Sequence, residues 1–107
     1  MKILDSNHNS LGEFPVSLEQ LSGLEELNLN DNSITKITIQ TEGALPSLKY
    51  LYVNANGLFK LDVSGKACFS SLRVLTAVGN EMVQWPDLTD SRRLRELQLG
   101  EWWLVGR

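Results

Sequence analysis

Between residues 24 and 37 the chain reads LEELNLNDNSITKI, with leucine at 24, 27 and 29, isoleucine at 34 and 37, and one asparagine, Asn32, set among them. This spacing fits neither the period of a half-buried strand nor that of an amphipathic helix over its full length. Only Leu27 and Leu29 alternate, as in a short strand. The arrangement returns in LKYLYVNANGLFKL, residues 48–61 with Asn56, and in LRVLTAVGNEMVQW, residues 72–85 with Asn80. MKILDSNHNSLGEF, residues 1–14, is a looser copy with Asn9, and LRELQLGEWWL, residues 94–104, starts another copy with Trp102 in the asparagine position. The copies begin at 1, 24, 48, 72 and 94, so the spacings are 23, 24, 24 and 22 residues. Self-similarity at one such period is the signature of a solenoid built from stacked units.

Each Leu-x-Leu pair (Leu27/Leu29, Leu51/Val53, Leu75/Ala77, Leu97/Leu99) points two side chains to one face of a short strand. One strand per unit stacks into a parallel sheet, and no unit can bury its apolar face alone. After the strand the chain must turn inward, which buries backbone groups that have no ladder partner. An asparagine amide offers two donors and an acceptor for them. Asn9, Asn32, Asn56 and Asn80 are therefore expected to form a buried ladder to backbone groups, a structural role and not a catalytic one. Trp102 has one donor and no acceptor, so the regular stack is expected to end there.

The pattern L-x-x-L-x-L-x-x-N-x-L in these stretches resembles the leucine-rich repeat family, and the resemblance covers essentially the whole chain. It implies an α/β solenoid: a curved parallel sheet with one short strand per repeat, and short helices or irregular segments on the convex side. Residues 1–107 would form a single leucine-rich repeat domain of about five repeats starting near 1, 24, 48, 72 and 94, a fragment of a longer chain. In the return segments, Ser17–Gln20 has capping-box spacing and predicts a short helix near 17–22. TIQTEGALPSL, residues 38–48, reads as irregular or extended. SGKACFSSL, residues 64–72, is expected to hold one helical turn with Cys68 or Phe69 inward, and WPDLTDSRRL, residues 85–94, a 3₁₀ piece.

Composition narrows the function classes. The chain has 107 residues, a net charge of −3 and 42% hydrophobic residues, which argues for one folded domain without a global basic field for nucleic acid or anionic lipid. No apolar run approaches the roughly 20 residues of a membrane-spanning helix. Cys68 is the single cysteine and His8 the single histidine. No Ser–His–Asp, Cys–His or multi-histidine metal site can be assembled from them, and no catalytic residue, cofactor or metal is expected. Cys68 reads as a buried inert thiol. Asp87 reads as a turn cap and Asp90 as a solvated carboxylate. The single cysteine, and the lack of the cysteine-rich flanking caps usual in secreted members of the family, point to an intracellular, preferentially cytoplasmic protein.

The informative surface is the face of the sheet turned away from the core, the concave face of a solenoid. Its first lane is Ile3, Glu26, Tyr50, Val74 and Glu96; its second is Asp5, Asn28, Tyr52, Thr76 and Gln98. A third holds Asn7, Asn30, Asn54, Val78 and Gly100, an exposed asparagine row in this reading, and a fourth, at the strand ends, holds His8, Asp31, Ala55, Gly79 and Glu101. Tyr50 and Tyr52 share the middle of this face, and tyrosine is enriched where proteins bind one another. The first expectation is a non-enzymatic scaffold or adaptor that binds another protein through Tyr50, Tyr52, Asn28, Asn30, Asn54, Glu26, Val74 and Thr76. The alternative is a structural segment of a longer solenoid, whose uncapped ends would favour self-association. A weaker reading, nucleic-acid binding, rests on Arg92, Arg93 and Arg95, which also read as a solvated convex turn balanced by nearby carboxylates. Trp102 and Trp103 are expected to cap the last repeat or to meet a continuing chain.

Overall fold

The computed structural model of the chain describes residues 3–5, 22–39, 43–63, 68–81 and 92–98. Seven short strands lie in these segments: β1 (Ile3–Asp5), β2 (Glu26–Asn28), β3 (Lys36–Ile39), β4 (Tyr50–Tyr52), β5 (Lys60–Val63), β6 (Val74–Thr76) and β7 (Glu96–Gln98). Five of them form one parallel sheet in the order β1-β2-β4-β6-β7. Its register runs Leu4, Leu27, Leu51, Leu75, Leu97, so the offsets between neighbours are 23, 24, 24 and 22 residues, the same as the spacings between copies in the sequence.

The Leu-x-Leu alternation explains how this sheet is faced. Leu27, Leu29, Leu51, Val53, Leu75 and Ala77 are all buried. The intervening Glu26, Asn28, Tyr50 and Tyr52 are half-buried on the other face. Leu97, expected in the core beside them, is 40% exposed, because β7 is the outer strand of the sheet. Sheet-like hydrogen bonds continue beyond the strands. Leu29 N–H donates to Tyr52 O at 2.8 Å, Asp31 N–H to Asn54 O at 2.9 Å, and Val53 and Ala55 repeat the pattern toward Thr76 O and Val78 O.

A second parallel sheet, β3 with β5, supports the opposite side of the core; Lys36 pairs with Lys60 and Ile37 with Leu61, again 24 residues apart. Ile37, Ile39 and Leu61 face inward, whereas Lys36, Thr38, Lys60 and Asp62 face outward or are half-buried. The extended reading of residues 38 and 39 is met, but the strand begins earlier and has a partner. The helical turn expected in residues 64–72 is absent among the described residues there. In its place Phe69 takes a left-handed φ of 56° and Leu72 N–H donates to Phe69 O at 3.0 Å, a single turn that a right-handed helix cannot contain. Leu45 and Leu48 form the same turn one repeat earlier. Cys68 and Phe69 are both buried, so both point inward. The helix expected near 17–22 and the 3₁₀ piece expected over 85–94 fall largely outside the described residues.

Left-handed backbone recurs at the repeat spacing as well. Asp31, Ala55 and Gly79 have φ of 60°, 56° and 77°, and Ser33 and Gly57 have 60° and 70°. At its described positions, Asp31, Ala55 and Gly79, the fourth lane of the sequence reading is thus a row of tight turns. At Gly79 the freedom lies in the φ of 77°: a Cβ there would be held in a left-handed conformation, with the backbone of Ala55 in the preceding repeat at ordinary contact distance.

Candidate functional site

The buried asparagines close the turns between repeats. Asn56 Oδ1 accepts from the N–H groups of Asn32 (2.8 Å) and Ile34 (3.0 Å), and its Nδ2 donates to Leu29 O (2.9 Å) and Asn54 O (3.1 Å). Asn80 does the same one repeat on, accepting from Asn56 and Leu58 N–H and donating to Val53 O and Ala77 O. Asn32, Asn56 and Asn80 are 0%, 4% and 6% exposed. Every hydrogen-bonding position of the Asn56 amide is used inside the chain, which leaves none for a ligand. Asn9 lies outside the described residues.

The concave face is built from the residues between these core positions. Glu26, Tyr50, Val74 and Glu96 are register partners in one row, and Asn28, Tyr52, Thr76 and Gln98 in the next. Tyr50 and Tyr52 therefore stand at the middle strand of five, both half-buried, with the Glu26 carboxylate beside Tyr50 and that of Glu96 two strands away. Ile3, 61% exposed, adds an apolar side chain at the β1 edge. Burial pushes the Tyr52 hydroxyl above its usual pKa of 10, and Glu26, Tyr50 and Glu96 push it the same way. The phenol is thus held neutral and keeps its proton for donation. Glu96 accepts a hydrogen bond from Gln98 Nε2 at 2.7 Å, which aligns its carboxylate along β7.

Two of the expected contact residues change roles. Thr76 is only 7% exposed, and its Oγ1 accepts from Asn54 Nδ2 at 3.0 Å. It is a buried spacer, not a contact residue. Asn54 belongs to a second ladder and not to an exposed row: its N–H donates to Asn30 Oδ1 at 2.7 Å, and its own Oδ1 accepts from Val78 N–H at 2.7 Å. Both shifts have one cause. The backbone leaving each strand still needs acceptors, and the side chains of this lane supply them. Asn28 Oδ1 likewise accepts from Asn30 N–H at 3.1 Å, while among the described residues the Nδ2 groups of Asn28 and Asn30 remain available on the face.

Arg92 and Arg93 occupy an exposed turn leading into β7, and Arg95 follows beside Arg73. The cluster therefore borders the sheet where its strands begin, not the convex back. Sequence reasoning missed Arg73 as a member. The available signal was the repeat offset itself, which aligns Arg73 with Arg95 just before β6 and β7. His8, Asn7, Asp87, Asp90, Trp102 and Trp103 lie outside the described residues. Among those that are described, no group of three or more His, Cys, Asp or Glu residues could hold a metal ion, and no helix is long and apolar enough to cross a membrane.

A family model described as leucine rich repeat matches residues 1–58 and again residues 22–82. The chain belongs to the leucine-rich repeat family. Stacked parallel strands at this period, closed by an asparagine ladder, form the solenoid of that family. The chain is similar to leucine-rich repeat-containing G-protein coupled receptor 4 of Xenopus tropicalis, with 35% identity over 93 residues, 86% of this chain and 10% of the receptor. It is also similar to leucine-rich repeat serine/threonine-protein kinase 1 of Caenorhabditis elegans, with 35% identity over 85 residues, 78% of this chain and 4% of the kinase. Toll-like receptor 9 of Mus musculus is 42% identical over 66 residues, 62% of this chain and 6% of the receptor. The chain thus spans a tenth or less of the length of these relatives. No solved structure matches it. Leucine-rich repeats are commonly protein-interaction modules and typically non-catalytic.

Proposed function

We propose that this repeat segment is a non-enzymatic scaffold or adaptor that binds another protein on its concave face. One observation carries the reading: Tyr50 and Tyr52, half-buried and side by side on the central strand, with Glu26 on the neighbouring strand β2 and Glu96 two strands away on β7. Such rings bury a large apolar area in a complex while the hydroxyl keeps a hydrogen-bond partner. The strand that carries them is paired on both sides, with β2 and β6, so little backbone ordering remains to oppose binding. Asn28, Asn30, Glu26 and Val74 complete the contact set. Thr76 and the amide of Asn54 do not belong to it. We place the protein inside the cell on the strength of its one cysteine, which is buried.

The test begins with a photo-crosslinking residue at Asn28, so that the captured partner is defined by its contact with this face. Tyr50→Ala/Tyr52→Ala is then compared with the parent for affinity to that purified partner. Truncation of a hot-spot aromatic costs about 2 kcal/mol or more, so the pair should lower affinity by about 100-fold or more if the effects add. Circular dichroism and a melting curve establish that the variant is folded. A folded variant that keeps full affinity would remove the concave-face reading. A second reading, a structural segment within a longer solenoid, is favoured by Leu97, whose 40% exposure contrasts with 1% or less at Leu27, Leu51 and Leu75. A longer chain in which Leu97 becomes buried and the tyrosine pair has no effect on any partner would support it.

A further inference from the structure

We propose that Arg73, Arg92, Arg93 and Arg95 form a receptor for a single phosphate monoester carried on a peptide. These four side chains, with Leu94, line an open concavity of about 400 Å³ at the edge where β6 and β7 begin. That volume lies in the range of small-ligand sites. Two elements bring these four residues to one concavity. Arg73 and Arg95 precede adjacent strands and are tied by backbone, with Arg95 N–H donating to Arg73 O at 2.8 Å and Glu96 N–H to the same oxygen at 3.0 Å. Arg92 and Arg93 come from the turn just before, and Leu94, packed against the core, anchors that turn.

Among the described residues, no ion pair neutralises the charge of the site. The row of residues preceding the strands reads Glu25, Lys49, Arg73, Arg95. Its one acid, Glu25, is paired with Lys49 at 3.2 Å. The nearest carboxylate along the chain, Glu96, is held by Gln98 on the face of the sheet. Among the described residues, no carboxylate pairs with any of the four arginines. Guanidinium groups are the side chains best matched to a phosphate, since each offers planar, paired donors. Clusters of arginine are one of the recurring ways in which phosphorylated segments are recognised.

The ligand is a point charge and not a polyanion. The four arginines share one concavity, and the concave face of the sheet carries Glu26, Glu96 and Asp5. A polynucleotide presents a phosphate at every nucleotide and would have to run over those carboxylates. A peptide phosphate needs only the one site. The receptor is separate from the tyrosine pair, so it does not depend on the concave-face reading.

The experiment uses the full 107-residue chain and fluorescence polarisation of three labelled peptide pools with random flanks. One pool has a central phosphoserine, one a serine and one an aspartate. A fluorescent single-stranded oligonucleotide is the fourth probe. The phosphoserine pool is expected to bind, the serine pool not, and inorganic phosphate and added salt are expected to weaken the binding. Arg73→Gln/Arg95→Gln and, separately, the turn variant Arg92→Glu/Arg93→Glu should each lower affinity at least about tenfold, since bonds to charged groups are worth more than neutral ones. Both should keep the parent's circular dichroism, and the turn variant tests the idea even if the first does not fold. Tyr50→Ala/Tyr52→Ala should bind the phosphoserine pool as the parent does. The proposal is overturned if the serine or aspartate pool binds equally well, or if only the oligonucleotide binds. It is likewise overturned if the tyrosine variant loses binding while both arginine variants keep it.

Discussion

Replacing Asn56 with alanine should be among the most damaging changes available to this chain. The amide holds four backbone groups, three of them on buried residues: two N–H donors, of Asn32 and Ile34, and two carbonyls, of Leu29 and the half-buried Asn54. Asn32 and Ile34 are themselves 0% exposed, so neither N–H can turn to bulk solvent. A buried donor left unsatisfied costs about 1–3 kcal/mol, and two of them give about 2–6 kcal/mol before the carbonyls are considered. A water entering the vacated space would recover part of that, so about 3–4 kcal/mol is the expected loss. With total stability of about 5–15 kcal/mol for a domain, this is a large share. Urea unfolding is the assay. At a slope near 2 kcal/mol/M, the midpoint should fall by about 1.5–2 M. Asn54→Ala is the matched control. It also loses a ladder bond, but the released Val78 N–H belongs to a residue 41% exposed, so water can replace the acceptor and about 1 kcal/mol is expected. If Asn56→Ala costs less than Asn54→Ala, or less than about 1 kcal/mol, the ladder is not what holds the turns.

Thr38 has a buried hydroxyl with no hydrogen-bond partner, so Thr38→Val should leave stability unchanged or raise it by about 0.5–1 kcal/mol in the same urea assay. Gly79→Ala should cost about 1–2 kcal/mol, because alanine at φ 77° is strained; a neutral result would mean that the turn relaxes freely. The raised pKa of Tyr52 makes the fold bind that proton more tightly than the unfolded chain does. The stability so gained is fully present below pH 10 and is lost as the pH rises through the higher folded value. Melting curves from pH 9 to 11 should therefore fall for the parent and fall less steeply for Tyr52→Phe.

The repeat starts were legible because leucine spacing and sheet register are two views of one offset. Each Leu-x-Leu pair must land beside the previous one or its whole face is misplaced. The ladder of Asn32, Asn56 and Asn80 was legible for a similar reason, since a lone amide in an apolar run has few other uses. The second sheet was harder to see. Lys36-Ile-Thr-Ile39 and Lys60-Leu-Asp-Val63 do alternate and lie 24 residues apart, but each is short, and pairing emerges only when the two are superposed. Residue type alone also misplaced Asn54 and Thr76. An asparagine next to a strand looks the same whether its amide meets solvent or a neighbouring N–H, and only the bond from Val78 decides it. Arg73 was overlooked because its partners in the pocket lie about one repeat away, where no local motif extends.

The asparagine ladder also has a direction. The acceptor for the turn at Asn32 and Ile34 is carried by Asn56, and the acceptor for the turn at Asn56 and Leu58 is carried by Asn80. Each of these two turns is thus finished by the repeat that follows it. On a ribosome the chain emerges from its N-terminal end, so each of these turns must wait for about another 24 residues before its buried amides find their acceptors. Assembly then advances as a queue, with one incomplete repeat always at the growing end, and a nascent chain stalled at residue 70 would hold its third turn open until Asn80 arrived.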